Sequence, residues 1–207
     1  MNKLGDILGM ISIQRLAIWL GIFVLSILLR GSLFRGCFMY KAEKRYVLEY
    51  KIVDPKLSHF ILKHPEVYDR EVKDIFQITL IAEKITADAL SFSKDSTLVN
   101  PNLVFALGGT TNDTGYSTFY TTVCDYLIDY YSLKSYYDCR HIVGSCFFMK
   151  TNLSTVRTLR GGQPFPSEFH FNIIQNMKTG ETISVDPSLY DAYRISTVSS
   201  NYLFAKP

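Results

Sequence analysis

The chain has 207 residues, of which 47% are hydrophobic and 20% are charged, enough for one ordinary domain with a single core. Its formal net charge is only +3, and no lysine- and arginine-rich run indicates a surface for nucleic acid. The four cysteines form no Cys-x-x-Cys pair and the four histidines are scattered, so no zinc or other metal site is expected. Nor does any motif indicate a cofactor.

Residues 16–29 are uncharged and almost wholly apolar, and Arg15 and Arg30 bracket them. A helix of that length spans roughly 20 Å, short of the ~30 Å hydrocarbon layer, although snorkelling arginines and the flanking apolar residues can extend it. A cleaved signal peptide and a buried core helix are the alternatives. We predict a single-pass membrane anchor over residues 1–36 and one domain over residues 37–207. The positive-inside rule weakly favours a cytoplasmic domain.

The first half of the domain has both strand and helix patterns. The β-rich run 45–53 predicts a strand that Asp54-Pro55 ends, and apolar residues at three- and four-residue steps predict a helix over 69–92. The polar block 91–102 is typical of a connection. A second helix, rich in aromatic residues, is predicted from Ser117 to Tyr131.

The second half of the domain has strand patterns. Strands are predicted over 139–149, 169–175 and 182–187, and residues 177–181 form a hairpin turn between the last two. The order is helix, helix and then antiparallel strands. This order predicts an α+β domain with helices packed on an antiparallel sheet.

Three polar side chains form a candidate catalytic set. Ser117 falls in the first turn of its predicted helix, where free N–H groups favour negative charge, although serine is also a common helix cap. His170 lies in one strand, and Asp186 ends the strand that follows the hairpin turn. If the two face each other, the carboxylate can orient the imidazole beside a nucleophile.

Four short motifs occur in the same order: Gly115-Tyr-Ser-x-x-Tyr120, Cys139-Arg-His-Ile-Val-Gly144, Phe169-His-Phe-Asn172 and Ser184-Val-Asp-Pro-Ser188. Together they resemble the transglutaminase-like superfamily, whose fold is papain-like, over residues 69–190. The resemblance implies that Ser117 takes the nucleophile's place, His170 that of the base and Asp186 that of the orienting carboxylate. It also implies acyl transfer or hydrolysis at an amide or peptide bond of a peptide or protein substrate.

Position 117 departs from the family pattern, in which the nucleophile is cysteine. A thiol ionises readily at a helix N-terminus beside an imidazolium, whereas a hydroxyl needs a base during attack. The chain is therefore an inactive relative, a variant inactivated by a Cys→Ser change or a true serine hydrolase; with cysteine at position 117 it would be a cysteine peptidase or acyltransferase. The alternative function is a non-enzymatic module that binds a peptide or protein, or a structural subunit of a membrane assembly.

Overall fold

The structure is a computed structural model that describes residues 18–21, 25, 29–46, 48–68, 72, 74–155, 166 and 168–201. The α-helices within these residues are α1 Arg30–Cys37, α2 Pro55–Lys63, α3 Ile75–Ala89, α4 Pro101–Ala106, α5 Asp113–Tyr130 and α6 Pro187–Tyr193. The strands are β1 Phe38–Arg45, β2 Ser91–Phe92, β3 Thr110–Thr111, β4 Tyr137–Phe148, β5 Thr151–Asn152, β6 Phe169–Asn176, β7 Thr182–Val185 and β8 Ser199–Ser200.

The main sheet has the strand order β7-β6-β4-β1-β8, and β5 pairs with the end of β4. The pairs β1–β4, β4–β6 and β6–β7 are antiparallel, whereas β8 runs parallel to β1. A bridge between Ser184 and Val198 brings β7 back towards the residues that lead into β8, so the sheet nearly closes. The α+β prediction agrees with this architecture, but the sheet is mixed rather than purely antiparallel.

Side chains alternate between the two faces of the sheet and supply two hydrophobic clusters. On one face, Cys139, Ile174 and Val185 pack against the buried sides of α3 and α5. On the other face, Tyr40 and Phe171 belong to a smaller cluster that the nearly closed sheet surrounds. A polar group on β4 or β6 therefore meets either the helices or this enclosed core.

The start of α5 is fixed by two residues with different roles. The Asn112 side chain caps the helix by accepting a hydrogen bond from the Gly115 N–H at 3.0 Å. Gly115 itself has no room for a side chain, because a Cβ there would overlap Thr111 Oγ1 and the Leu98 carbonyl. The helix thus begins at Asp113, four residues before the predicted start.

Among the described residues, no helix is both long enough and apolar enough to cross a membrane. The predicted single-pass anchor and membrane location are therefore wrong; residues 1–17, 22–24 and 26–28 of the predicted anchor lie outside the described residues. The uncharged run is too short for a full span, and the helix that follows it joins the domain. In α1, Arg35 donates to Thr197 at 2.5 Å and the Phe34 ring stacks on Phe38.

Two predicted strands also differ from the structure. Residues 48–53 are irregular, and the strand that pairs with β4 lies earlier, at Phe38–Arg45. β7 ends at Val185, where Asp186 caps α6 by accepting from the N–H groups of Ser188 and Leu189. Proline is well suited to the first position of a helix, so Pro187 begins α6 rather than only ending a strand.

Candidate active site

Two threonines at the start of α5 and two histidines of the sheet form one chain of hydrogen bonds. Thr114 Oγ1 lies 3.1 Å from His170 Nε2, and His170 Nδ1 lies 2.9 Å from His141 Nε2. At the far end, His141 Nδ1 lies 3.3 Å from Thr118 Oγ1. The sheet and the first two turns of α5 are therefore joined through polar side chains rather than apolar ones.

Strand register and helix periodicity bring these four side chains together. In the β4–β6 pair, Val143 lies opposite His170, so His141 and His170 are diagonal neighbours on one face. Thr114 and Thr118 are four residues apart and so lie one above the other on α5. The face of β4 and β6 that packs against α5 is thus the face that carries both histidines.

The hydrogen-bond partners favour one assignment of protons to the ring nitrogens. The Thr118 hydroxyl has a closer acceptor in the Thr114 carbonyl, at 2.7 Å, than in His141 Nδ1, so its proton lies on the carbonyl side. His141 Nδ1 must then donate to Thr118, which leaves its Nε2 to accept from His170 Nδ1. By the same reasoning His170 Nε2 is an acceptor, and it faces the Thr114 hydroxyl.

Both imidazoles favour the neutral form that this assignment requires. Burial, and then the neighbouring His170, lowers the pKa of His141 to about 3. Burial also lowers the pKa of His170, although the negative charges of Asp113 and Glu168 oppose that effect. A neutral His170 with a free Nε2 can accept a proton at neutral pH.

The site opens at its Thr114 end. Thr118 and His141 are buried, whereas Thr114 and His170 are only partly buried. The Tyr46 ring covers His141 at a centroid distance of 4.4 Å and meets the His170 ring edge-on at 5.8 Å. Thr114 and His170 are thus accessible, whereas Thr118 and His141 are shielded from water.

Ser117, the predicted nucleophile, lies in the second turn of α5 and is 1% exposed. Its hydroxyl has no hydrogen-bond partner among the described residues, and its carbonyl accepts from Asn172 Nδ2 at 2.9 Å. The expected contact between Ser117 and His170 is not present. Because α5 begins four residues early, the first turn carries Thr114 instead.

Asp186, the predicted orienting residue, does not reach His170. The register Asn172–Val185 in the β6–β7 pair places Asp186 beside Phe171, on the opposite face of the sheet from His170. Its carboxylate is buried there and accepts from the Tyr40 hydroxyl at 2.8 Å and the Ser188 hydroxyl at 2.6 Å. The expected hydrogen bond between His170 and Asp186 is therefore wrong.

Sequence reasoning identified His170 but missed Thr114, Thr118 and the role of His141. A signal was available, because Thr114 and Thr118 have helical spacing and His141 alternates onto one face of a strand. No group of three or more His, Cys, Asp or Glu side chains within the described part of the chain could hold a metal ion.

Comparisons with known proteins supply no family for the chain: no protein-family model, no curated protein and no solved structure matches it. The resemblance to transglutaminase-like proteins thus depends on the four short motifs alone.

Proposed function

We propose that this protein catalyses acyl transfer or hydrolysis at an amide, peptide or ester bond, with Thr114 as the nucleophile and His170 as the general base. The observation that carries the proposal is the 3.1 Å distance between Thr114 Oγ1 and His170 Nε2, the ring nitrogen to which the hydrogen-bond network assigns no proton. This distance lies within the range required for proton transfer between a nucleophile and its base.

In the proposed reaction, the Thr114 oxygen attacks the substrate carbonyl while its proton passes to His170 Nε2. The imidazolium then gives that proton to the leaving amine or alcohol, and an acyl-threonine ester remains. Water or a second nucleophile, deprotonated by His170, cleaves the ester and restores the hydroxyl. His141 accepts from His170 Nδ1 at 2.9 Å and so acts as the positioning residue that fixes the tautomer, the role usually filled by a carboxylate.

The position of Thr114 in the first turn of an 18-residue helix also supports the proposal. The positive end of the helix dipole favours the negative charge that develops on the attacking oxygen and on the substrate carbonyl. The reaction class is the one that the motif resemblance implies. The nucleophile differs, because the first-turn hydroxyl beside the histidine belongs to Thr114 and not to Ser117.

A second candidate is a non-enzymatic module that binds a peptide or protein in the same cleft. It is favoured by the loss of two features of the resembled family: Ser117 replaces the cysteine, and Asp186 lies on the far face of the sheet. Without a thiol and a carboxylate beside the histidine, such a cleft could keep its shape and lose its chemistry.

The test uses the full chain with p-nitrophenyl esters and fluorogenic peptide amides. Thr114→Val replaces the hydroxyl with a methyl group of similar size and should lower turnover at least about 100-fold. Thr114→Ser keeps a hydroxyl and should retain activity. Ser117→Ala is the matched control and should leave turnover unchanged. Mass spectrometry should find the acyl group on Thr114. Activity that survives Thr114→Val but not Ser117→Ala would reject this assignment, and no turnover of any substrate would favour the binding module.

A further inference from the structure

Tyr46 follows β1 directly and is bonded to β4 at the position of a histidine. Its N–H donates to the His141 carbonyl at 2.9 Å, one position beyond Arg45 and Ile142, the last pair in the β1–β4 register. Residues that lie opposite each other in an antiparallel pair direct their side chains to the same face of the sheet. The backbone after β1 therefore directs the Tyr46 ring to the face that carries both histidines.

The Tyr46 ring contacts both imidazoles. Its centroid lies 4.4 Å from that of His141, with the two planes 35° apart, and 5.8 Å from that of His170, with the planes 77° apart. His141 is only 4% exposed, whereas Tyr46 is partly exposed. The ring therefore lies at the boundary between His141 and the surrounding water.

An aromatic ring in this position has two opposite effects on the charge of an imidazole. It excludes water, which disfavours the imidazolium, but the negative face of a ring attracts a cation, which favours it. For His141 the loss of water is the larger effect, because burial is the main cause that lowers its pKa from 6.5 to about 3. A ring that excludes water therefore helps to hold His141 neutral.

The charged groups around the site act mainly on His170. Asp113 of α5 and Glu168, next to β6, raise the pKa of His170, whereas Lys44 of β1 lowers it. For His141, the cause that follows burial is His170 itself, which also lowers the pKa. The neutral state of His141 thus depends on its burial and on His170, and Tyr46 supplies part of that burial.

We propose that Tyr46 is a positioning residue: its ring keeps His141 neutral, and a neutral His141 keeps the Nε2 atom of His170 free of a proton. The contact that links the two histidines is the 2.9 Å hydrogen bond in which His141 Nε2 accepts from His170 Nδ1. Only an imidazole that lacks a proton on Nε2 can accept this bond.

Protonation of His141 would reverse this bond. Once His141 takes up a proton from water, both of its nitrogens are donors, so His170 Nδ1 has to accept. His170 then loses its Nδ1 proton to water and takes one up at Nε2, which leaves no free nitrogen for the Thr114 proton. This consequence for turnover relies on the proposed function, whereas the consequence for the protons does not.

The protonation of His141 is measured by NMR on the full chain with ¹⁵N-labelled histidine between pH 4 and pH 8, and His141→Gln assigns the signal. In the wild type, His141 should stay neutral throughout, with its proton on Nδ1. In Tyr46→Ala it should be protonated at a midpoint at least about one pH unit higher, towards its ordinary value of 6.5. Tyr46→Phe keeps the ring and should restore the wild-type titration.

Tyr136→Ala is the matched control. It removes a half-exposed ring next to the other end of β4, where the ring contacts Lys178 at 3.9 Å, and should leave His141 unchanged. Tyr46→Leu serves if Tyr46→Ala does not fold, because its smaller side chain covers His141 only in part and should raise the midpoint by less. A midpoint that stays the same or falls when the ring is removed would overturn the proposal, since the ring would then favour the imidazolium or have no effect.

The pH profile of turnover separates this proposal from the proposed function. In Tyr46→Ala the acid limb of kcat should move to higher pH together with the His141 midpoint, and Tyr46→Phe should reverse that movement. If the midpoint moves but no substrate is turned over by any variant, the role of Tyr46 stands and that of Thr114 falls. If turnover depends on Thr114 but His141 titrates alike with and without the ring, Thr114 stands and the role of Tyr46 falls.

Discussion

Ser117 carries a buried hydroxyl for which the described residues provide no hydrogen-bond partner. An unpaired polar group in the interior costs roughly 1–3 kcal/mol. Ser117→Ala should therefore raise the free energy of unfolding by about 1 kcal/mol, measured by urea denaturation. Thr86→Val is the control, because the equally buried Thr86 hydroxyl already donates to the Ala82 carbonyl at 2.7 Å. A loss of stability in Ser117→Ala would mean that the hydroxyl makes a contact that the structure lacks.

Glu83 is a second buried polar side chain without a hydrogen-bond partner. Both of its carboxyl oxygens are buried and lack a partner among the described residues. Burial, and then the nearby Asp186 charge, raises the pKa of Glu83 to about 10. In the unfolded chain the group ionises near its ordinary value of 4.5. Between pH 4.5 and about pH 10 the folded state therefore binds one more proton than the unfolded state. The contribution of Glu83 to stability is thus largest below pH 4.5 and falls as the pH rises towards 10.

Replacing Glu83 with glutamine removes this titration. The stability difference between Glu83→Gln and the wild type should grow in favour of the variant between pH 5 and pH 9, by up to about 1.4 kcal/mol per pH unit. Urea denaturation of both proteins at several pH values measures it. A difference that does not vary with pH would show that the carboxyl is ionised, and paired, in the folded protein.

At the scale of single elements, local patterns predicted the central part of the fold well. Strands predicted over 139–149 and 169–175 are observed at Tyr137–Phe148 and Phe169–Asn176, because alternation of apolar residues is a local property. The start of α5 was missed because Thr114 and Gly115 have the composition of a loop. Gly115 is needed there for close packing, which depends on Thr111 and Leu98 rather than on its neighbours in the helix.

The candidate site was predicted only in part, because it depends on the register between elements. A shift of one residue between β6 and β7 reverses the face on which Asp186 lies, and that register depends on the length and type of the hairpin turn, which the sequence pattern did not fix. His170 was identified from its motif, and its position on the face towards α5 is set by pairing with β4. Its partners could not be predicted, since they depend on how α5 lies across the sheet.

The role of the first turn of α5 can be tested by removing its cap, the Asn112 side chain. Asn112→Ala should cost about 1 kcal/mol of stability, because the Gly115 N–H loses its acceptor. It should also reduce turnover more than tenfold, because the first turn carries Thr114 and a 1 Å displacement of a nucleophile is costly. Asn100→Ala, which removes the equivalent cap of α4, is the control and should reduce stability alone. Equal turnover in the two variants would argue against a reactive group in the first turn of α5.

At the scale of the whole molecule, β1 joins the two sides of the sheet. It lies between β4 and β8, and its Tyr40 reaches across the enclosed core to Asp186 at 2.8 Å. β1 also leads directly into Tyr46, which covers His141, so one strand supports both the enclosed core and the candidate active site. The irregular stretch after it, residues 49–52, lines a surface pocket beside the second half of α5.

This arrangement predicts different results for two truncations of the chain. A chain that begins at Arg30 retains α1 and every strand of the main sheet, so its melting temperature and its turnover should match those of the full chain. A chain that begins at Tyr46 lacks β1, which leaves the paired edge of β4 open and exposes Phe171 and its neighbours. Loss of a central strand removes far more burial than a domain's net stability of roughly 5–15 kcal/mol can tolerate, so this chain should not fold. Circular dichroism and thermal melts distinguish the two, and cooperative unfolding of the shorter chain would contradict the central role of β1.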